Sequence, residues 1–317
     1  MVGINFMEKI SPTKALFIKL GAKGSYEKEC IEERNIVKLD YKEIDHNLCL
    51  AGRWQAVRKV IMKKYKTKKV TTTFHLNQIK YFYEVGQDVL WITFYHHKLW
   101  WCFADKKVIY EKDGTKFRKV LGKWRNKGLG GQELRLGNLS GRLLRTQGFR
   151  GVICRVIEKN YLLNKINGEE LAETKEVKEA FNLLCDRIVP VIKNLNWKDF
   201  ERLIDLIFRN AGWQRISELG QTQRTIDLEL ANPITGERAV AQVKSESNLK
   251  EFNRYKKEFG GITGYDKFFY LVHTPTEDLK KYKKENREEK IKIYFASEIA
   301  ELAVNAGLFN WVLRIVG

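Results

Sequence analysis

The chain reads as two domains, a basic and mostly β module followed by an α/β layer on a mixed sheet, and three observations predict this. At 317 residues it has room for two cores of ordinary size. Strand signals dominate the first half, whereas the second runs helix, hairpin, helix, strand, strand, helix. Charge divides at the same place. Residues 1–165 carry 34 Lys and Arg against 15 Asp and Glu, the whole formal excess of 19, and residues 166–317 carry 24 of each.

In the first half, residues 14–20 predict a strand with a glycine turn at Gly21 to Gly24. Residues 88–94 and 98–103 predict two more strands around Tyr95, His96 and His97, and residues 149–157 a fourth. Short strands at this spacing suit a curved sheet or barrel, with connections at 58–69 and 106–128 rich in Lys and Arg. The Glu, Lys, Ala and Leu of residues 166–192 predict a helical connection that Pro190 ends or kinks.

The second domain is expected over 193–317. Phe200, Leu203, Ile204, Ile207 and Phe208 form the stripe of an amphipathic helix closed by Gly212. The period then changes to two. Residues 225–230 and 239–244 predict strands joined by a turn at Asn232 to Gly236. Residues 246–259 read as a charged helix and 268–273 and 291–295 as strands, and Ser297 suits the cap of a last helix.

Composition narrows the function. Cys30, Cys49, Cys102, Cys154 and Cys185 are scattered without metal-ligand spacing and read as buried thiols of a reducing cytoplasm. No apolar run nears the roughly 20 residues that span a bilayer, so a cytoplasmic protein without membrane contact is expected. The chain lacks a Gly-x-x-x-x-Gly-Lys-Ser/Thr loop, and no nucleotide cofactor is expected. The one-sided positive charge suits a nucleic-acid partner, double-stranded DNA here, because neutralising phosphates releases counterions.

On adjacent strands Asp227, Gln242 and Lys244 would come together, since alternation puts Gln242 and Lys244 on one face. Phosphodiester hydrolysis needs a hard divalent cation, Mg²⁺ or Mn²⁺, held by oxygen. Asp227, the Val243 carbonyl and Gln242 could supply ligands, and Lys244 would polarise the attacking water. Glu229, on the Asp227 face, and Glu246, just past Lys244, are reserve candidates, and His273 reads as a packed residue outside the site.

The run Trp197-Lys-Asp-Phe200-Glu201, Ile207-Phe208, Gly212-Trp213, Thr225-Ile226-Asp227 and Gln242-Val243-Lys244 resembles the Mrr-type restriction endonuclease catalytic domain over roughly residues 195–305. That family is a branch of the PD-(D/E)XK superfamily. The resemblance implies a restriction-endonuclease-like α/β fold in which Asp227 and Lys244 are essential, Gln242 stands at the second acidic position, and Glu201 completes the metal site. A neutral Gln242 lowers the site's charge and puts weight on Glu201.

The basic half would then read DNA. Lys116, Arg118, Lys119, Lys123, Arg125 and Lys127 suit phosphate contacts. Trp91, Trp100 and Trp101 are the best aromatics for a pocket that stacks an extruded base, with Asp88 or Asn77 bonding its edge. Residues 15–21 and 88–91 loosely resemble PUA-related modules, the EVE group among them, which implies a modified-base reader. The preferred function is a restriction endonuclease guided by a modified base, acting as a homodimer at least transiently because one site must cut two strands. A sequence-specific restriction enzyme, a structure-specific repair nuclease and a non-catalytic DNA-binding protein stay open as alternatives.

Overall fold

The computed structural model describes residues 9–65, 69–216, 226–286 and 288–317. Its chain divides into two compact units, Met1–Leu171 and Ala172–Gly317.

The first unit is an open sheet with helices on both faces. Its elements are β1 (Lys14–Ile18), β2 (Ile36–Leu39), α1 (His46–Leu50), α2 (Trp54–Tyr65), α3 (Lys69–Glu84), β3 (Val89–Tyr95), β4 (Lys98–Tyr110), β5 (Lys116–Arg125), α4 (Gly141–Leu144), β6 (Ile153–Arg155) and α5 (Lys159–Asn167). The strand order is β2-β5-β4-β3-β1-β6, with β1 and β3 parallel and the other pairs antiparallel. β2 and β6 end the sheet, so the expected barrel is not closed. Basic segments expected as connections are regular structure instead: 58–65 lies in α2, and β4 and β5 form one long hairpin over 98–125. Exposed lysines such as Lys59, Lys63, Lys119 and Lys123 therefore mark the wet face of regular elements rather than loops.

Alternation splits the strand residues between two cores. Leu16, Trp91 and Cys102 pack with Val57, Ile79 and Phe82 on one face. Phe17, Ile92 and Trp101 pack with Leu143, Leu162 and Ile166 on the other. His96 and His97 make the two-residue turn between β3 and β4 at φ 47° and 57°, which matches the strands' twist although histidine enters that region only at a cost.

In the second unit a five-stranded sheet lies between two helical layers. Its elements are α6 (Ala172–Lys193), α7 (Trp197–Asn210), β7 (Gln214–Arg215), β8 (Leu228–Ala231), β9 (Arg238–Ser247), α8 (Leu249–Gly260), β10 (Lys267–Pro275), α9 (Glu277–Glu285), β11 (Ile291–Phe295), α10 (Ala296–Asn305) and α11 (Phe309–Val316). The order β11-β10-β9-β8-β7 is parallel from β9 to β11 and antiparallel from β9 to β7, a mixed sheet. Phe200, Leu203 and Ile204 of α7 and Ile299 and Ala303 of α10 cover one face. Phe252 and Tyr255 of α8 and Leu279 of α9 cover the other.

Of the segment expected to connect the domains, residues 166–171 belong to the first unit and 172–192 to the second, where Ile188 and Ile192 of α6 are buried in the core. Pro190 stands inside that helix without ending it. Asn196 caps α7 by accepting from the Lys198 and Asp199 amides, and Gly212 follows its end at φ 85°. Asn232 accepts from the Ile234 and Thr235 amides at 3.0 and 3.2 Å, which shapes the turn between β8 and β9. The Glu298 carboxylate accepts from the Phe295 amide at the start of α10, a place expected for Ser297, and α11 follows as the last helix. Among the described residues no single helix is long and apolar enough to cross a membrane.

Candidate functional site

The β8–β9 pairing assembles the polar cluster. Leu228 opposes Ala241, so Asp227, one residue earlier, falls opposite Gln242. Leu228 and Leu230 point into the α7 core, which turns Asp227 to the α8 face. Val240 lies in the α8 core, so Gln242 and Lys244 share that face by alternation. Thr225, part of the sequence motif, lies outside the described residues.

Asp227 is held from β9. The Val243 amide donates to Asp227 Oδ2 at 2.7 Å and the Gln242 Nε2 amide donates to the same oxygen. Both bonds fall on Oδ2, so Oδ1 is the carboxylate's remaining oxygen. Burial raises the Asp227 pKa above the ordinary carboxylate range, and the Val243 amide, Lys244, Gln242 and Arg215 offset only part of the shift.

Gln242 is 2% exposed, and its Oε1 has no hydrogen-bond donor among the described residues. A buried acceptor left unmade costs about 1–3 kcal/mol, and a cation beside Asp227 would satisfy it. The donor type agrees, since an amide oxygen and carboxylates are hard ligands that suit Mg²⁺. Among the described residues no three His, Cys, Asp or Glu side chains converge on a metal position. Any cation here must therefore draw on amide or backbone oxygen as well as on carboxylates.

Lys244 Nζ lies 5.1 Å from the centre of the Tyr255 ring on α8. Burial alone would lower its pKa, but its bond to Tyr255 and the charges of Asp227 and Glu251 outweigh this and raise it, so the ammonium is retained. Glu201 on α7 is coupled to the same centre. Burial and the Asp227 charge both raise its pKa, while Arg215 lowers it.

Arg215 was not singled out in the sequence. Its guanidinium lies 3.8 Å from Glu201 Oε1 and donates to the Asp227 carbonyl at 3.3 Å, linking the two acidic positions. It stands on the two-residue strand β7, too short for any period to reveal. Of the reserve residues, Glu229 accepts from the Tyr265 hydroxyl at 2.7 Å and Glu246 is solvent-exposed. His273 is buried, with its ring 4.7 Å from that of Phe200 and its Nδ1 2.9 Å from the Thr274 hydroxyl.

The residues expected to read DNA divide sharply. Lys119, Lys123 and Lys127 are exposed and Arg125 is half-buried over the Trp101 ring. Lys116 and Arg118 are buried at 1% and 0% exposure, which removes them from any phosphate surface. Lys116 Nζ donates to the Tyr41 carbonyl. The Arg118 guanidinium donates to the carbonyls of Asp105, Phe82, Val85, Gly86 and Ala104. Burial pulls its pKa down to about 10 against the opposing charge of Asp105, which leaves it cationic at neutral pH.

The expected base pocket is likewise corrected. Trp91 is fully buried and Trp101 is 1% exposed, on opposite faces of the sheet, so they cannot together enclose a base. Trp100 is half-buried against the Trp91 side and donates to the Tyr95 carbonyl at 3.0 Å. Asp88 and Asn77 are exposed, at the start of β3 and on α3.

No family model matches the chain, and no curated protein does. Among solved structures, one described as the DNA modification-dependent restriction endonuclease AspBHI is similar at 13% identity, covering 72% of this chain and 68% of its own, with a TM-score of 0.29. A superposition that loose transfers no residue and no role.

Proposed function

We propose that the chain is a metal-dependent DNA endonuclease whose centre is Asp227, Gln242 and Lys244, with Glu201 as the second carboxylate. The observation that carries this reading is the buried Gln242 Oε1, without a donor among the described residues, beside the Asp227 carboxylate and on the strand face of Lys244. A hairpin that merely faced water would gain nothing from burying that oxygen.

In this reading Asp227 Oδ1, Gln242 Oε1 and Glu201 would hold Mg²⁺ or Mn²⁺, with the Val243 carbonyl as a further oxygen. When bound, the cation supplies charge to the scissile phosphate and acidifies a water. Lys244 keeps its proton and places it against the negative charge that grows on the phosphate in the transition state. The Val243 amide fixes the Asp227 carboxylate, and Arg215 restrains Glu201 while its charge keeps that carboxylate from rising further in pKa.

Glu201→Gln is expected to raise the Mg²⁺ concentration needed for half-maximal cleavage roughly 10- to 100-fold, the range seen when support of a metal site is lost. A Mg²⁺ titration of cleavage with unchanged midpoint would confine Glu201 to its pairing with Arg215. Selection by a modified base is the finer part of the proposal. In Mg²⁺, DNA carrying modified cytosine is expected to be cut while the same unmodified sequence survives; equal cutting would favour an ordinary sequence-specific enzyme. A chain that cuts no DNA, branched substrates included, would be a binding protein on this fold.

A further inference from the structure

Beyond the nuclease centre, the first unit carries a cleft of about 590 Å³ lined by Arg142, Arg145, Phe149, Arg155, Ile157 and Glu158. Arg142 and Arg145 are three apart at the α4 end, which turns them to neighbouring positions, and Arg155 closes β6 at the edge of the sheet. All three are exposed, and among the described residues none of them forms an ion pair. Residues 141–159 hold five Lys and Arg against the single Glu158, and Arg150 is exposed as well. The cleft also presents Ile157 at 92% exposure and Phe149, whose ring lies 5.5 Å from that of Phe74.

Three other basic residues of this unit, Lys38, Lys116 and Arg118, are instead engaged inside it. Lys38 is buried against Glu29 and Glu111 at 3.0 and 3.2 Å, and Lys116 and Arg118 bond carbonyls. The cleft's arginines are not so engaged. Guanidinium groups are planar forks that match phosphate oxygens two at a time, and they shed water more readily than ammonium groups. An apolar side chain exposed between them suits a sugar or base edge better than open water.

We infer that this arginine cleft is the surface by which the first unit grips the sugar-phosphate backbone of duplex DNA. The inference builds on DNA as the substrate of the proposed nuclease but not on cleavage. Its test is therefore a binding measurement in EDTA, by fluorescence anisotropy of a labelled duplex with the full chain across 50–300 mM salt. Each phosphate contact contributes about 0.9 to the slope of log affinity against log salt. Replacing Arg142, Arg145 and Arg155 together by Ala should lower the slope by roughly 2–3 and weaken binding at least about tenfold at 0.1 M salt. The triple Lys variant should keep most of the slope. A charge-matched control, Lys59, Lys63 and Lys112 to Ala on exposed positions of the same unit, should lose far less.

The inference fails if the Ala variant, folded by circular dichroism, binds as the wild type or as the control does, or if the wild type does not bind duplex DNA. An acidic protein or anionic vesicle that competes as well as DNA at equal charge would overturn it too. Cleavage separates the two readings. A wild type that binds through these arginines but never cuts sinks the nuclease and spares the cleft, and an Ala variant that cuts and binds normally does the reverse.

Discussion

Asp227→Asn is expected to slow cleavage by at least about 10³-fold, the scale of losing a principal electrostatic group of an active site, and at the same time to raise thermal stability at neutral pH. The second effect follows from the sign of the pKa shift. Burial, the largest cause, lifts the Asp227 carboxyl above its unfolded value. Between the unfolded and folded values the folded chain holds more protons than the unfolded one, so stability falls as pH rises through that window. Above the folded value the cost is fully present, and the neutral amide escapes it. Its carbonyl oxygen can still accept from the Val243 amide. Melting curves of both proteins at pH 7 and near pH 4 check this. The advantage of the variant should be clear at pH 7 and shrink in acid, where the wild type takes up its proton. Equal melting temperatures at both values would mean that the carboxylate is not held at a cost. Glu201 is shifted the same way, by burial and by Asp227, so protons should compete with Mg²⁺ for these carboxylates, and the Mg²⁺ requirement of cleavage should begin to rise in acid at a higher pH than ordinary carboxylates would dictate.

Arg118→Ala should destabilise the first unit by at least about 3 kcal/mol, and its effect on DNA affinity should come only through unfolding. Five carbonyls, from Phe82, Val85, Gly86, Ala104 and Asp105, accept from this one guanidinium. Stranding buried acceptors costs about 1–3 kcal/mol each where water cannot reach them, and truncating the side chain leaves a cavity against the Trp91 ring, 5.6 Å from the guanidinium carbon. Arg118→Lys is no rescue, because a point charge with three donors cannot reproduce the fork. Denaturant unfolding of the variant, read beside Lys119→Ala on the exposed neighbour, tests the assignment. A change under about 1 kcal/mol at Arg118 would show that the carbonyls find other donors.

What the sequence alone determined was periodic and local. The stripe from Phe200 to Phe208 specified helix α7, the turn from Asn232 to Gly236 specified a hairpin, and alternation put Gln242 and Lys244 on one strand face. The charge asymmetry also belongs to the sequence. Tertiary structure decided the rest, because partners came from far along the chain. Alternation says which residues share a face but not which face is wet, so Trp91 and Trp101 read as a pocket and turned out to be two cores. Lys116 and Arg118 are charged in sequence, yet carbonyls 13–75 residues away accept from them in the interior. Arg215 meets Glu201 and Asp227 only because β7 adds to the edge of β8. Local period follows from covalent geometry and so is written in adjacent residues, whereas desolvation depends on every element packed against a group and exists only once the chain has folded.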